Sequence, residues 1–514
     1  MRLGLTQAGG DAPQGAKIAR ELKVRMLVLP GRSILTGITR AAVVRDRRGI
    51  TAMTFAVMAF VLLGFVALST EVAGWIFLKT TAQAAADGAA VAATLALNAG
   101  TDPLAAAQDA VSRNGFDPGT VTIASSTQPN PTANPPVLAQ ARAVVSVSVA
   151  PLIAGLFTGS NAIAINAGAT AGMQPLNPGG TACVLSLTGD LTISAPQSEF
   201  GTCSYVSDAG DATAINVSGD QVNVYAFVTA GECANCPAPN SNYTTRPVAT
   251  YQPVVGDPYA ASLTSVALPT ESNVTCMPDP FSGSSPYTLV PATGIPGSPT
   301  YPPLSVGHYA YCNSGGSLLS LTAPPNSTVV LWPGVYLFID AMLAISANVT
   351  VQCSIDGSTT PSSDCIQVPT GVTLIFTGHA ANFSSSALSL KIDPGATVNL
   401  GPPAASDIPS DIPIPANFGM VIWRDRALPG GTTASPAADI EASDASANSS
   451  YGLNGLLYFP YAAVTFGANS QTAGQGCTTL VAGTITLANQ PSLFSDCAGY
   501  GYVTPQVLTV RITQ

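Results

Sequence analysis

Residues 49–70, GITAMTFAVMAFVLLGFVALST, carry no charged side chain over 22 positions. As a helix this run is about 33 Å long, enough to cross a hydrocarbon core of about 30 Å. The sequence RDRRG leads into it. Arg45, Arg47 and Arg48 hold that end on the cytoplasmic side by the positive-inside rule, and Trp75 follows as an interfacial aromatic. The reading is a basic cytoplasmic tail over 1–48, a transmembrane helix over 49–72 and export of everything beyond. A cleaved signal peptide with a small-residue site at Ala67–Ser69 is the competing reading. The apolar run exceeds the roughly 7–15 residues usual there.

The charge distribution agrees with this polarity. Ten of the eighteen Lys and Arg residues lie in the first 48 positions, whereas beyond residue 80 seven face 24 acids. The net charge of −10 therefore averages a basic head and an acidic body. An acidic body repels phosphate and argues against a nucleic-acid partner.

All ten cysteines follow residue 180, on the exported side, which points to an oxidising compartment and structural disulfides. In chain order they form five neighbouring pairs: Cys183 with Cys203, Cys233 with Cys236, Cys276 with Cys312, Cys353 with Cys365 and Cys477 with Cys497. Sequence does not fix connectivity. Cys233 and Cys236 form one CxxC without a second ligand pair, so a disulfide is favoured over metal or redox chemistry. No cofactor or metal site is expected.

Between the apolar run and the cysteines lies LKTTAQAAADGAAVAAT, residues 78–94. Helix formers run without proline from Thr51 to about Leu97. Alanine carries the highest helix propensity, so the span continues out of the bilayer as a helix. Its small side chains admit close approach, either by a partner helix or by the chain's own domain. The whole stretch RDRRGITAMTFAVMAFVLLGFVALSTEVAGWIFLKTTAQAAADGAAVAATLAL resembles the N-terminal segment of TadG-like proteins of the Flp-pilus, or tight-adherence, machinery. Arg47, Arg48 and Gly49, then Glu71, Trp75 and the run Gln83 to Ala93 carry the likeness, with Gly88 where the family has alanine. A prepilin-type cut after Gly49 would put Thr54 where prepilins carry glutamate. DPLAAAQDAVSRNGFDPGTVTI resembles the family's second helix and following strand. ARAVVSVSVAPLIAGLFTGSNAIAINAGATAGM resembles the strand, short apolar helix and strand that close a pilin-like α+β region over 73–180. The resemblance implies a single-pass protein of a bacterial inner membrane, N-terminus cytoplasmic and C-terminal domain periplasmic or extracellular. Its partners would be pilus-assembly membrane proteins or pilins, met through the helix, and the lipid bilayer.

From residue 181 to 514 helical periodicity gives way to short β-rich runs opened by Gly, Pro or Asn. NSTVVLWPGVYLF, ANVTVQC, GVTLIFTG and GATVNLGPP begin near Val329, Val349, Val372 and Thr397, a spacing in the twenties. That period predicts a large all-β domain built as a parallel β-helix or related solenoid, with a β-sandwich as the alternative. Asp190 to Ser194, DLTIS, is an incomplete match to an adhesion-domain metal motif and is not assigned a metal.

The function expected is a non-enzymatic component of pilus assembly or surface adherence. The alternative is a membrane-anchored polysaccharide-acting enzyme or a carbohydrate-binding β-helix, with surface carbohydrate as ligand. Its nearest candidate is WRDRA, where an extended strand would put Arg424 and Arg426 on one face and Asp425 on the other. His308 and His379 stand apart in the sequence and are read as structural. No catalytic residue is assigned.

Overall fold

The structure, a computed structural model, describes residues 47–128, 138–151, 159, 161–175, 180–194, 204–218, 224–236, 248–263, 268–295, 298–304, 307–313, 317–353, 371–383, 388–412, 414–415, 418–440, 451–467, 477–488 and 502–513. Arg45, Cys203, Cys365, Cys497, the basic tail up to residue 46 and the short apolar helix expected after Val149 lie outside these residues. The chain divides into two units, Met1–Gly74 with Leu152–Gly159, and Trp75–Pro151 with Ser160–Gln514.

Helix α1, Arg47–Asn98, is continuous, as its unbroken run of helix formers predicts. Arg47 and Arg48 open its first turn. The part in the second unit packs Ala82, Ala85, Ala86, Ala89, Ala90 and Ala93, all fully buried, onto a four-stranded antiparallel sheet. The sheet answers with alanines of its own, Ala141, Ala143, Ala167, Ala169 and Ala171. Methyl against methyl brings helix and sheet backbones close enough for the Thr94 hydroxyl to donate to the Ala171 carbonyl at 3.0 Å. The alanine run thus packs on the chain's own domain. Helix α2, Pro103–Arg113, adds Ala107 and Val111 to this core; Asp102 caps it by accepting from the Leu104 amide.

That sheet holds Val121–Thr127, Gln140–Val149, Ile163–Pro175 and, from the far end of the chain, Leu508–Ile512. The last strand runs antiparallel to Ile163–Pro175, with Val510 opposite Met173. The stretch 181–514, read as one domain from sequence, therefore returns its final strand to the α+β region. An antiparallel stem joins them: the Val507 amide donates to the Gly180 carbonyl at 2.7 Å and the Ala182 amide to the Pro505 carbonyl at 2.9 Å.

The body between these stems is strand-rich, and its 17-stranded sheet pairs in parallel throughout. Antiparallel hairpins stacked as a sandwich do not produce that pairing. One ladder runs through Val274–Met277, His308–Tyr311, Gly334–Ile339, Val372–Thr377, Met420–Arg424, the first half of Gly455–Phe466 and the first half of Thr478–Leu487. It continues into Ala182–Ser186, Ser204–Ser207 and Ala226–Thr229. A second ladder passes through Leu319–Ala323, Ala341–Ile345, Leu390–Ile392 and Ala438–Ile440 to the second halves of the same two long strands, then Leu191–Ile193, Ile215–Val217 and Cys233–Ala234. A third, shorter sheet pairs Tyr287–Thr288, Thr328–Leu331 and Thr350–Cys353.

Register corrects the sequence period. Val329 sits opposite Val351, and Thr397 bridges Thr350, but Val372 lies in the first ladder opposite Gly334. The spacing in the twenties therefore mixed two ladders. Successive turns also differ in length: Ser204 pairs with Ala226, whereas Leu343 pairs with Leu390.

The stacking order is a rotation of the chain order. The chain enters mid-stack at Ala182, advances to one end near Ala234, returns to the other end at Val274 and climbs back to Thr478–Leu487. The returning segment, Val248–Leu263 and Leu268–Asn273 among the described residues, lies across the outer face of the first ladder. Strands of that ladder are consequently covered on both faces, and GVYLFI and VTLIFT read as unbroken buried runs. Tyr336, Phe338, Leu374 and Phe376 join one core cluster; Val335, Leu337, Ile339 and Ile375 join the cluster of Tyr259 and Leu263. Tyr311, Phe338 and Phe376 stack in register, with centroids 5.4 and 4.9 Å apart.

Cys276 and Cys312 are joined, stapling Val274–Met277 to the end of its neighbour, and so are Cys233 and Cys236. Cys183, Cys353 and Cys477 are also disulfide-bonded.

Candidate functional site

Two regions carry functional geometry. The first is the N-terminal part of α1. Met53, Phe55, Phe60, Leu63 and Phe65 are each more than 60% exposed, and Trp75 is half-buried. The mean hydropathy of the most apolar window reaches 2.3, and none of that window is buried. The helix is long and apolar enough to cross a membrane. A contiguous apolar surface of this length marks a site of contact with lipid or with another protein.

The second region lies where the returning segment crosses the first ladder. Asp208, just past Ser204–Ser207, accepts from the amides of Val255 and Gly256 at 2.8 and 2.9 Å. Burial pushes its carboxyl up to about 6, and the two amides pull it partly back. Asp257 then accepts from Arg426 at 2.7 Å and from the Tyr458 hydroxyl at 2.6 Å. Burial, and then Asp257, raise the Tyr458 hydroxyl. Tyr259 packs edge-on against Phe418 and Tyr458, and its hydroxyl donates to the Val503 carbonyl at 2.8 Å.

Leu263 and Leu268–Glu271 of the segment border a hollow of about 300 Å³ on the ladder. Leu263, Ile339 and Trp423 make its apolar walls; Glu271, Thr377, His379, Asp425 and Arg426 supply its polar groups. A more open hollow of about 630 Å³ shares Leu268 and Pro269 and holds His308, whose Nε2 pairs with Asp411 at 2.8 Å.

His379 is built into place. Asp340 ends the apolar run GVYLFI with a positive φ of 50° and a fully buried side chain. Its carboxylate accepts from the His379 amide at 2.6 Å and meets the ring Nδ1 at 2.8 Å. Gly378, at φ 135°, lets the two backbones touch; a Cβ there would overlap Asp340's carboxylate and amide nitrogen. The hydrogen bond that the His379 ring donates to Asp340, then that carboxylate's charge, raises the imidazole above its ordinary value; burial opposes this and Glu271 adds to it. Nδ1 is thereby committed, and Nε2 has no partner among the described residues.

The WRDRA reading is corrected here. The strand ends at Arg424, whose fully buried side chain donates to Ser389 Oγ and to the carbonyls of Leu428 and Pro429. Burial lowers its guanidinium to about 10. In register Arg424 follows Phe376, so it continues the inward aromatic row. Arg426 lies beyond the turn, pairs with the returning segment and sits 5.4 Å from the Tyr461 ring centre. The two arginines do not share a face. Asp425 accepts from the Thr377 hydroxyl at 2.7 Å and from the Ala427 amide at 3.0 Å.

Sequence reading missed Asp340, Glu271 and Asp257. A signal existed for Asp340, because one aspartate inside GVYLFIDAMLAI has to be paired if it is buried. None existed for Glu271 and Asp257, which reach the site only through the return of the chain. Among the described residues, no three His, Cys, Asp or Glu side chains gather to hold a metal ion.

No curated relative matches the chain. A solved structure, the competence-associated pilin ComZ from Thermus thermophilus, is 10% identical over 77% of this chain and 88% of its own, with a TM-score of 0.19. At that score the likeness assigns no fold. Residues 49–109, from the start of the apolar run through most of α2, match the Tad family of Flp pilus-assembly TadE/G-like proteins. The apolar helix, Trp75 and the alanine face, residues 49–109, are therefore a segment similar to the Flp pilus-assembly TadE/G-like proteins.

Proposed function

We propose that the chain is a non-enzymatic, single-pass membrane component of Flp-type pilus assembly or surface adherence. Arg45, Arg47 and Arg48 face the cytoplasm, and the β-rich body is exported to the periplasm or beyond. The observation that carries this reading is the bare apolar part of α1 lying inside the TadE/G-like match. Disulfides among the body's cysteines support an oxidising compartment. We read the three sets of parallel strands as walls of a solenoid. Partners are pilus-assembly membrane proteins or pilins, met through the membrane-spanning part of α1, because the alanine face is already used within the chain. The acidic body leaves no role for nucleic acid.

Deletion of the gene should abolish pili or adherence, and alkaline phosphatase fused at the C-terminus should be active. Intact piliation in the deletion strain, or a reporter active only as a cytosolic enzyme, overturns the proposal. One observation favours a second reading, a polysaccharide-cleaving enzyme: Glu271 and Asp425 line one hollow. That reading requires the purified protein to shorten a polysaccharide and Asp425→Asn to stop it.

A further inference from the structure

The hollow beside Leu268–Glu271 has no part in the assembly role proposed above. It is at the small end of the roughly 300–1,000 Å³ of ligand pockets, the size of one ring-shaped group. Its polar groups do not cancel. Arg426 is neutralised by Asp257, and His379 is matched by Asp340. Glu271 and Asp425 have no ion-pair partner among the described residues. Glu271 Oε1 itself lies beneath the surface with no hydrogen-bond donor among the described residues, so the hollow meets this side chain through its other atoms.

This inventory excludes several occupants. A carboxylate or phosphate ligand meets two unbalanced acids. A peptide strand finds no edge beside Thr377 and Trp423, since Val372–Thr377 and Met420–Arg424 each pair with a strand on both sides. A neutral sugar suits this mixture of groups: its hydroxyls can donate to the Glu271 and Asp425 carboxylates and accept from Arg426 and His379 Nε2, beside the narrow exposed rim of Trp423.

We propose that this hollow binds a non-acidic saccharide, read by Glu271, Asp425, Arg426 and His379 over the Trp423 wall, with the chain passing on through the wider hollow at His308. This deepens the adherence reading above by naming what the body would hold, and it rests on that reading only for its biological use.

The test is calorimetric titration of the full chain in lipid nanodiscs, free of glycoside detergent. The probes are neutral oligomers of glucose, mannose and N-acetylglucosamine, with galacturonate oligomers and free lysine as acidic and amine comparators. At least one neutral series should bind, and Glu271→Gln and Asp425→Asn should each weaken it about ten-fold or more. Asp109→Asn on the exposed face of α2 should leave binding unchanged. Variants count only if their melting transitions match the unaltered chain. Absence of binding by all neutral oligomers overturns the proposal. So does tighter binding of galacturonates or of lysine, or unaltered binding by both folded variants. Piliation of a Glu271→Gln strain separates the two readings: pili with lost glycan binding leaves the assembly role intact, and glycan binding in a chain whose deletion spares pili leaves the site intact without it.

Discussion

Asp340 and Gly378 illustrate how much a few atoms decide. A fully buried carboxylate survives only because an amide and an imidazole answer it. The amide can reach it only because residue 378 has no side chain. Gly378→Ala should therefore cost about 2–4 kcal/mol, from overlap with Asp340 and from a left-handed φ that alanine resists, read by chemical denaturation. The imidazole titrates above its ordinary value, so NMR of His379 should give a midpoint above about 6.5 in the intact chain. The sign follows directly: the folded state binds this proton more tightly, so its contribution is complete below the unfolded value and fades as pH rises through the folded one. Asp340→Asn should bring the midpoint down; a midpoint that stays put assigns the shift elsewhere. Arg424 makes the matching point inside the core. It carries a charge into an aromatic row, where it donates to the Ser389 hydroxyl and to the Leu428 and Pro429 carbonyls of the following turn. WRDRA read as a strand gave the arginines one face, because alternation holds only while the strand continues, and this strand ends at Arg424 itself.

Elements were legible in proportion to how locally they are determined. Helix α1 needs only propensity and an unbroken apolar run, and both are printed in the sequence. The alanine run left its partner open, since small side chains fit a foreign helix and a home sheet equally well; the answering alanines at 141, 143, 167, 169 and 171 settle it in space. Enlarging one contact, Ala89→Leu, should overpack this interface and cost about 1–3 kcal/mol in thermal or chemical unfolding of the α+β region, whereas Met53→Leu on the exposed part of α1 should cost nothing measurable there. The β period was half-legible. Short apolar runs marked the strands, but equal spacing did not mark equivalent strands, because turns between them vary in length. The returning segment was invisible, since nothing in 248–273 alternates or repeats. Its hold on the ladder is nonetheless testable through Asp208. The folded value of about 6 lies above an ordinary carboxylate near 3.8, so the fold binds a proton the unfolded chain does not as pH falls between them. Stability from this group should therefore rise as pH drops from about 6 to about 4, by about 2–3 kcal/mol at most. Asp208→Asn should flatten that slope in a series of melting curves. An unchanged slope would place the titration elsewhere.

At the scale of the molecule, both ends of the β-rich body meet at a single stem. Gly180 and Val507 are hydrogen-bonded, and from there Ile163–Pro175 and Leu508–Ile512 run side by side in one sheet. The body is thus inserted between neighbouring strands of an α+β region that has its own helix, sheet and core. The rotated stacking order follows from the same constraint. A stack entered at one end and left at the other would separate the stems by its full length; entry in the middle, with a long return outside, brings the two exits together. Ala182–Ser186 pairs with Thr478–Leu487, so the first and last turns of the body seal each other. The body needs the return segment to close this circuit, and the α+β region needs only the short distance between stems. Replacing residues 183–503 by a short Gly/Ser linker should therefore leave a chain whose Leu508–Ile512 strand still completes the sheet. Amide exchange would show protection at Val510 and at Ala171 comparable to that in the full chain. Loss of protection at both would mean that the sheet depends on the body; protection retained at Ala171 but lost at Val510 would mean that the last strand is held by the body and not by its neighbour.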